Sequence, residues 1–334
     1  MKNKYGLSII IPAYNEEKII NKCLEAVYKI KKLNLDVIVI DDGSKDRTAT
    51  IVSKYPCKLI KNKENIGAGL SKNKAIKFAK FNYILIIDAN AIVIKDAIEK
   101  MFFYLKSKKN LSGINGIWNY KTPSKSFFSK VQALDTNFQM RIMKKEKFSF
   151  YWGNGSIIKK KIFFKSGGFS SYYKKAGCED YEIIFRMSNK KKFLVPGIVS
   201  INHHFPSFFF NGFLKYIFRT ALFIQTYLFY KNRVNSGDNW HTTNKNLYSL
   251  LSVYLMLIGF LGGFFINTLI YIFLFLGLFS LILNNLKKIK FIRKKTSIYF
   301  VFLYIPTSII MYLLIGVGIV FGIIRFLVSK NEFT

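Results

Sequence analysis

A stretch without a single charged side chain, residues 247–286, sets the strongest constraint on how this chain can fold. A helix that crosses a bilayer needs roughly 20 apolar residues, so the stretch has the length of two spans joined by a tight turn near Gly262 and Gly263. A second apolar run extends from Ser297 to Val328. We therefore predict a transmembrane region at 241–334 with about three spans, rather than a large buried core of a soluble protein.

The basic residues predict an orientation and a partner for this region. The chain carries a formal net charge of +34, and the segment 287–295, which follows the uncharged stretch, is rich in lysine. Basic loops stay on the cytoplasmic side of membranes, so we expect a multi-pass protein of the cell (inner) membrane with its N-terminal half in the cytoplasm. Diffuse lysine suits anionic membrane lipid. Nucleic-acid recognition favours arginine, which is scarce here, and no nucleic-acid partner is expected.

Residues 205–240 lie between the two halves and combine basic with aromatic side chains. Lys215, Arg219, Lys231 and Arg233 stand among many aromatic residues, a composition typical of a helix that lies along a bilayer surface. We expect an amphipathic, interfacial helix in this segment, and a fourth membrane span is the alternative.

The N-terminal half, residues 1–204, alternates between short β-branched runs and segments with helical spacing of apolar residues. The runs at 7–11, 36–40, 57–60 and 83–87 are typical of buried strands. Strands that alternate with helices form parallel sheets through right-handed crossovers, and the lack of in–out alternation indicates that both sheet faces are covered. We predict an α/β domain, Rossmann-like, with a mainly parallel sheet.

Polar residues follow three of these strands. The first strand leads into Pro12-Ala13-Tyr14-Asn15-Glu16, the second into Asp41-Asp42, and the fourth into Asp88-Ala89-Asn90. The carboxyl ends of parallel strands share one edge of a sheet, where ligands bind. Neither GxGxxG nor GxxxxGK[ST] is present, so a dinucleotide cofactor and a P-loop NTPase are disfavoured. Carboxylates without a glycine cradle suit a nucleotide held by its base and ribose, with a divalent metal neutralising the diphosphate.

Five segments, in order along the chain, resemble the motifs of the family 2 glycosyltransferases, which have the GT-A fold. They are SIIIPAYNEE, VIVIDDGSKDRT, NIGAGLSKNKAIKFA, YILIIDAN and GGFSSYYKKAGCEDYEIIFRM. The resemblance covers roughly residues 5 to 205 and implies a GT-A catalytic domain at 1–204. The C-terminal spans are similar to those of membrane-attached members.

The resemblance implies a nucleotide-sugar site at the strand ends. The residues that it assigns to this site are Pro12, Ala13, Tyr14, Glu16, Asp41, Asp42, Gly67, Lys72, Asp88 and Ala89. Among them, Asp42 would hydrogen-bond the base, with Asp41 as the less favoured choice. Gly67 would let the chain turn close to the ligand. Lys72 would approach the diphosphate, and its alternative is a place on a solvated helix face.

Asp88-Ala89-Asn90 stands where the family usually has Asp-x-Asp, whose acids hold ribose and metal. The second acid is an amide here, and its oxygen can ligate a hard cation without adding charge. The resemblance still implies Mn²⁺ or Mg²⁺, held by Asp88, Asn90 and the imidazole of His203. A simple interface role is the alternative for His203.

Glu179 and Asp180 open a predicted helix. An inverting sugar transfer needs a base that deprotonates the acceptor hydroxyl. By resemblance Asp180 is that base and Glu179 supports the acceptor or the loop, whereas helix capping by both acids is the alternative. Gly153 would line the acceptor side, next to Trp152, which either stacks on a sugar ring or packs in the core.

The resemblance implies an inverting glycosyltransferase that uses a nucleotide-diphosphate sugar, in the first instance a UDP-sugar. Membrane attachment suggests a lipid-linked or membrane-proximal saccharide acceptor, as in the synthesis of surface polysaccharide, glycolipid or polyprenyl-phosphate sugar. A processive polysaccharide synthase is one alternative, but it would carry Gln-x-x-Arg-Trp where this chain has FLKYIFRTALF. A catalytically silent membrane scaffold with the same fold is the other alternative.

Overall fold

The computed structural model of the chain describes residues 5–142, 153–173, 177–187, 193–205, 209–230 and 244–329. The chain forms two compact units, Met1–Phe205 and Pro206–Thr334. Lys231 and Arg233 of the predicted interfacial segment, and Trp152 on the predicted acceptor side, lie outside the described residues.

The first unit is built on two sheets. Its strands are β1 (Gly6–Ala13), β2 (Asn34–Asp41), β3 (Lys58–Lys61), β4 (Tyr83–Ile86), β5 (Ala91–Val93), β6 (Gly113–Asn115), β7 (Ile117–Trp118), β8 (Ser156–Lys159), β9 (Phe193–Leu194) and β10 (Val199–His203). The larger sheet has the order β3-β2-β1-β4-β8-β6-β9, and the smaller one has the order β5-β10-β7.

The larger sheet is parallel where the predicted strands lie. β1 pairs in parallel with β2 and β4, and β2 pairs in parallel with β3, whereas β8 runs antiparallel to β4 and β6. The apolar residues of β1, Leu7 and Ile9 to Ile11, have no exposed surface, because helices cover this central strand on both faces. The predicted α/β architecture with a mainly parallel sheet is therefore confirmed.

Seven helices are described in this unit, and they connect the strands. They are α1 (Ile20–Val27), α2 (Thr48–Val52), α3 (Ala68–Lys77), α4 (Lys95–Ser107), α5 (Phe127–Ile142), α6 (Lys160–Lys165) and α7 (Glu179–Arg186). α1 buries Ile20, Cys23, Leu24 and Val27, which are spaced as one helical face. These crossovers place the ends of β1, β2 and β4 side by side.

The smaller sheet brings a distant part of the chain to the same edge. β10 runs antiparallel to β5, with His203 opposite Ala91, and parallel to β7. β5 follows directly after the Asp88-Ala89-Asn90 turn at the end of β4. This pairing therefore delivers His203 to the turn that carries the predicted metal ligands.

The second unit is helical in its described part. Its helices are α8 (Phe209–Tyr230), α9 (Asn244–Phe265), α10 (Tyr271–Lys295) and α11 (Ile298–Val328). Three segments are long and apolar enough to cross a membrane, namely Asn246–Phe265, Thr268–Lys295 and Ile298–Val328. Their number matches the three predicted spans, and α8 is not among them. Insertion of the three helices, and an interfacial position of α8, stay predictions.

Small residues let α8 and α11 approach closely. A Cβ atom on Gly318 would lie 2.7 Å from the Cβ of Thr220, and one on Gly322 would lie 2.6 Å from the carbonyl oxygen of Ala221. Gly318 and Gly322 form the small-xxx-small pattern that packs helices in membranes. The contacts follow the same order along both helices. Further along, Gln225 of α8 accepts a hydrogen bond from Arg325 Nε of α11 at 3.2 Å. The two helices therefore run in the same direction here.

We predict that Gly322→Leu separates α8 from α11 and lowers the melting temperature of the detergent-purified protein. Leucine is the better helix former, but overpacking a close contact costs about 1–3 kcal/mol and outweighs that gain. The matched control is Val320→Leu on the same helix, where the side chain is 57% exposed. Equal melting temperatures for the two variants would show that this contact contributes nothing to stability.

Candidate active site

Hydrogen bonds join the segments that follow β1 and β2, and each runs from a backbone N–H of one segment to a side-chain oxygen of the other. The Asn15 N–H donates to Ser44 Oγ at 2.9 Å, the Lys45 N–H donates to Asn15 Oδ1 at 2.8 Å, and the Glu16 N–H donates to Thr48 Oγ1 at 2.8 Å. Asn15 has a φ of 55°, a left-handed conformation that asparagine tolerates better than most residues. The result is one rigid wall beside the sheet edge.

The predicted nucleoside-pocket residues lie on and behind this wall. Ala13 is buried, and its carbonyl oxygen accepts the Asp42 N–H at 2.8 Å. Pro12 and Glu16 are partly exposed, while Tyr14 is exposed. Tyr14 and Glu16 thus present surface that a ligand can contact, although their predicted roles stay predictions.

Asp42 is engaged within the protein. Its Oδ1 accepts hydrogen bonds from Asn62 Nδ2 and Ser71 Oγ at 2.8 Å and from the Ile66 N–H at 3.0 Å, and its Oδ2 accepts the Gly67 N–H at 2.9 Å. The residue is buried. The structure therefore shows Asp42 anchoring the turn before α3. The predicted hydrogen bond between Asp42 and the base of a nucleotide stays a prediction.

Asp41 and Gly67 also shape the backbone at this edge. Asp41 is buried, and its Oδ1 accepts the Ser44 N–H at 3.1 Å. Gly67 precedes α3 with a φ of 96°, a conformation that side chains with a Cβ rarely adopt. Glycine at this position lets the chain turn sharply into α3, and the predicted close approach to a ligand stays a prediction.

Asp88 is clamped by Asn154, which lies just before β8. Asn154 Oδ1 accepts the Asp88 N–H at 3.0 Å, and Asn154 Nδ2 donates to Asp88 Oδ2 at 2.8 Å. The Asp88 side chain remains 42% exposed, whereas Ala89 and Asn154 are buried. Asn154 thus fixes one carboxylate oxygen of Asp88 and leaves the carboxylate accessible to a ligand.

The other two predicted metal ligands are His203, which lies beside this carboxylate, and Asn90, two residues further along the chain. His203 Nε2 is 3.9 Å from Asp88 Oδ2, and its ring stacks on Trp118 with the ring centroids 4.5 Å apart. Asn90 Oδ1 is buried and accepts no hydrogen bond from any residue that the structure describes. A buried acceptor left without a donor is costly, and a cation would satisfy it.

This donor set fits a hard divalent cation only together with ligands from a substrate. Within the described residues, no group of three His, Cys, Asp or Glu side chains converges to hold a metal. The set instead combines one carboxylate, one amide oxygen and one imidazole. Phosphate oxygens of a diphosphate would complete the coordination of Mg²⁺ or Mn²⁺.

The second acidic cluster lies at the start of α7. Lys72 Nζ lies 3.2 Å from Glu179 Oε1 and 3.3 Å from Asp180 Oδ1. Lys72 is 2% exposed, and its Nζ lies 4.3 Å from the centroid of the Phe169 ring. A Cβ atom on Gly153 would lie 2.7 Å from Asp180 Oδ1, so any larger residue at this position would displace the carboxylate.

The two acids have opposite electrostatic environments. Desolvation raises the pKa of Asp180 to about 6, with Lys72 opposing and Glu179 and Asp88 adding to the rise. Desolvation also disfavours the charged form of Glu179, but Lys72 and the Gly177 N–H outweigh it and lower the pKa of Glu179. Burial alone would lower the pKa of Lys72, and the charges of Asp180, Glu179 and Asp88 raise it instead. Among these three groups, Asp180 is the one whose pKa is shifted towards neutrality.

The structure thus brings together most of the predicted residues and adds others. Lys72 pairs with Glu179 and Asp180, and its predicted contact with a diphosphate stays untested. Asn154 as the clamp on Asp88 was not predicted, although it stands beside Gly153 in the sequence WGNGS. Trp118, which stacks on His203, was not predicted either, because no motif surrounds it.

Comparisons with known proteins identify the family and the fold of the chain. The family described as Glycosyl transferase family 2 matches residues 8–167. The uncharacterized protein MJ0544 of Methanocaldococcus jannaschii is 31% identical over 58% of this chain and 87% of its own length. The poly(ribitol-phosphate) beta-glucosyltransferase of Bacillus spizizenii is 29% identical over 43% of this chain and 26% of its own length. The chain spans about half the length, or less, of several curated relatives that it matches.

A solved structure confirms the fold. The mannosyltransferase PcManGT of Pyrobaculum calidifontis, in complex with GDP-Man and Mn²⁺, aligns with a TM-score of 0.58 at 15% identity, over 99% of this chain and 90% of that one. The predicted GT-A fold is therefore confirmed. The family match and the relatives named as glycosyltransferases show that the chain belongs to glycosyltransferase family 2.

Proposed function

We propose that this chain is an inverting glycosyltransferase that moves a sugar from a nucleotide-diphosphate sugar to a lipid-linked or membrane-proximal acceptor. The observation that carries the proposal is Asp180, a carboxylate with a pKa of about 6 and a 31% exposed side chain. It packs against Gly153, whose neighbour Asn154 clamps Asp88. The proposed base, Asp180, and the carboxylate proposed to act at the diphosphate, Asp88, thus both contact the short segment formed by Gly153 and Asn154.

The proposed reaction assigns one task to each side of this segment. The Asp180 carboxylate takes the proton of the acceptor hydroxyl, and the hydroxyl oxygen forms a bond to the anomeric carbon of the donor sugar. The bond from that carbon to the diphosphate oxygen breaks on the opposite face, and the diphosphate leaves with the electron pair. Attack from the opposite face inverts the configuration of the anomeric carbon.

The leaving diphosphate carries charge that needs compensation. Asp88, Asn90 and His203 would hold Mg²⁺ or Mn²⁺, which would supply Lewis-acid stabilisation of that charge. The Asn154 clamp keeps the Asp88 carboxylate in one orientation for this role. The interlocked segments after β1 and β2 would form the nucleoside wall, with Tyr14 and Glu16 exposed to the ligand.

The acceptor class is proposed from the second unit and from the relatives. Three described helices have the length and apolar composition of membrane spans, which favours an acceptor at a membrane. One relative is named as a poly(ribitol-phosphate) beta-glucosyltransferase, whose name describes an anionic polymer as acceptor. A lipid-linked intermediate or a membrane-proximal saccharide of the cell envelope is consistent with both observations.

We predict that Asp180→Asn abolishes sugar transfer without abolishing donor binding. Loss of a general base lowers the rate by about 100- to 10,000-fold, because an amide cannot take the hydroxyl proton. Detergent-purified protein is offered UDP-, GDP- and dTDP-sugars with Mn²⁺, Mg²⁺ or EDTA, and polyprenyl phosphate or a crude lipid extract as acceptor. Release of nucleoside diphosphate is measured.

The control variant for this experiment is Asp96→Asn, which changes a well-exposed carboxylate in the same unit. It should release nucleoside diphosphate at the wild-type rate. A folded wild-type protein that binds no nucleoside diphosphate by calorimetry would identify a silent scaffold. Product from many successive transfers would favour a processive synthase.

We further predict that Asn90→Asp raises the affinity of the protein for Mn²⁺. The change replaces a neutral amide oxygen with a charged one, and affinity for hard cations rises with the charge of their ligands, here by about tenfold. Binding is measured by calorimetry in the presence of nucleoside diphosphate. Asn110→Asp adds the same charge at an exposed site and serves as the control. Equal Mn²⁺ affinities for the two variants would remove Asn90 from the metal site.

The catalytic unit is proposed to face the cytoplasm, because the basic residues 287–295 at the end of α10 favour that side. We predict that Lys63→Cys, an exposed position in the first unit, reacts with a membrane-impermeant maleimide only after cells are permeabilised. Thr268→Cys, between α9 and α10, should react in intact cells. Both variants carry Cys57→Ser, because Cys57 is partly exposed. The reverse labelling pattern would place the unit outside.

A further inference from the structure

Lys72 is a buried cation in a protein whose many other lysines offer charge at the surface. Lysine is almost never fully buried unless it is paired, and this residue is 2% exposed. Its Nζ donates hydrogen bonds to both acids at the start of α7, to Glu179 Oε1 at 3.2 Å and to Asp180 Oδ1 at 3.3 Å. Such a site is costly to build, which points to a use for the charge.

The directions in which the Lys72 ammonium can donate are largely taken. An ammonium has three N–H donors. Two of them reach the carboxylates of Glu179 and Asp180, and the Phe169 ring lies 4.3 Å from the nitrogen. One N–H remains beside the Phe169 ring, and to give a diphosphate more than that one donor Lys72 would have to leave a carboxylate that its burial makes a strong partner.

The frame around Lys72 is fixed at several points. The first turn of α3 is tied to Asp42 through the Gly67 N–H and Ser71 Oγ. The next residue, Asn73, exchanges two hydrogen bonds with the backbone of Phe169, at 2.8 and 2.9 Å. Lys72 therefore extends from a helix that is anchored both to the sheet edge and to the segment before α7.

We propose that Lys72 is a positioning residue that holds the Asp180 carboxylate in place and in its ionised form, while Glu179 serves as the fixed counterion of Lys72. The proposal rests on the proposed transfer reaction, in which Asp180 is the base. Glu179 suits the counterion role, because its second oxygen accepts the Gly177 N–H at 2.9 Å and its side chain is buried.

The charges around Asp180 explain why one cation is needed there. Lys72 faces Asp180 from α3, Glu179 from the same helix, and Asp88 from the turn after β4, while Gly153 beneath it carries no charge. Three carboxylates without a cation would repel one another and favour a protonated Asp180. Lys72 opposes this effect, while desolvation, Glu179 and Asp88 raise the pKa of Asp180 to about 6.

The test compares Lys72→Met with wild-type protein, using whichever of UDP, GDP and dTDP the wild type binds. We expect kcat/KM at neutral pH to fall by about 100-fold, in the range of general-base catalysis. The acid limb of the pH profile should move to higher pH, because the remaining carboxylates favour the protonated form. The Kd for the nucleoside diphosphate should stay within about twofold of wild type, because Lys72 does not contact it.

A charge cycle keeps the test informative if Lys72→Met alone does not fold. Glu179→Gln should move the acid limb to lower pH, because it removes a like charge beside Asp180. The double variant Lys72→Met with Glu179→Gln removes one charge of each sign, so its limb should return towards that of wild type. Lys77→Met on the exposed face of α3 is the control and should leave activity and pH profile unchanged.

Two results would overturn the positioning role. A Kd for nucleoside diphosphate weakened tenfold or more in Lys72→Met, with an unmoved acid limb, would make Lys72 a ligand of the diphosphate. An acid limb of the pH profile that stays at the wild-type position in every variant would show that Lys72 leaves the ionisation of Asp180 unaffected. Nucleotide binding is measured without turnover, so a wild-type protein that binds nucleotide but transfers no sugar counts against the proposed reaction instead.

Discussion

The buried carboxylate of Asp42 is the interaction on which the arrangement of the site depends. It joins the end of β2 to the start of α3 through hydrogen bonds from Gly67 and Ser71. α3 in turn carries Lys72, which holds Glu179 and Asp180. Charge-assisted hydrogen bonds inside a protein are strong because little water competes for them. Asp180, the proposed base, is therefore positioned from the sheet edge through the Asp42 carboxylate, helix α3 and the Lys72 ammonium.

Neighbouring carboxylates acquire different roles here through their surroundings. Glu179 and Asp180 are adjacent in sequence, yet Glu179 is buried against Lys72 and the Gly177 N–H, while Asp180 stays partly exposed above Gly153. The pKa of the first is lowered and that of the second is raised. The same division applies to the other two acids: Asp42 is buried and accepts four hydrogen bonds within the protein, whereas the Asp88 carboxylate is accessible. Burial and donor supply, rather than residue type, separate structural acids from reactive ones.

The sequence predicted the parts of the site that depend on local pattern. Apolar runs that end in acids predicted β1, β2 and β4, and the geometry of parallel sheets then predicted that Asp42 and Asp88 meet at one edge. Partners far apart in sequence were not predictable in this way. Asn154 clamps Asp88 across 66 residues, and Lys72 reaches Glu179 across 107. Those contacts depend on the antiparallel pairing of β8 and on the path into α7, which no periodicity in one sequence encodes.

The parallel pairing of α8 with α11 has a consequence for how the protein is made. Gln225 is separated by 100 residues from Arg325 and by 104 residues from Ser329, and it forms a side-chain hydrogen bond with each of them. At about 5–20 residues per second, α8 leaves the ribosome roughly 5–20 s before its partner exists. During that interval the face formed by Ala221, Ile224 and Gln225 has no helix against it. If α8 takes its predicted interfacial position during that interval, its aromatic and basic side chains would hold it at the membrane surface until the last helix is made.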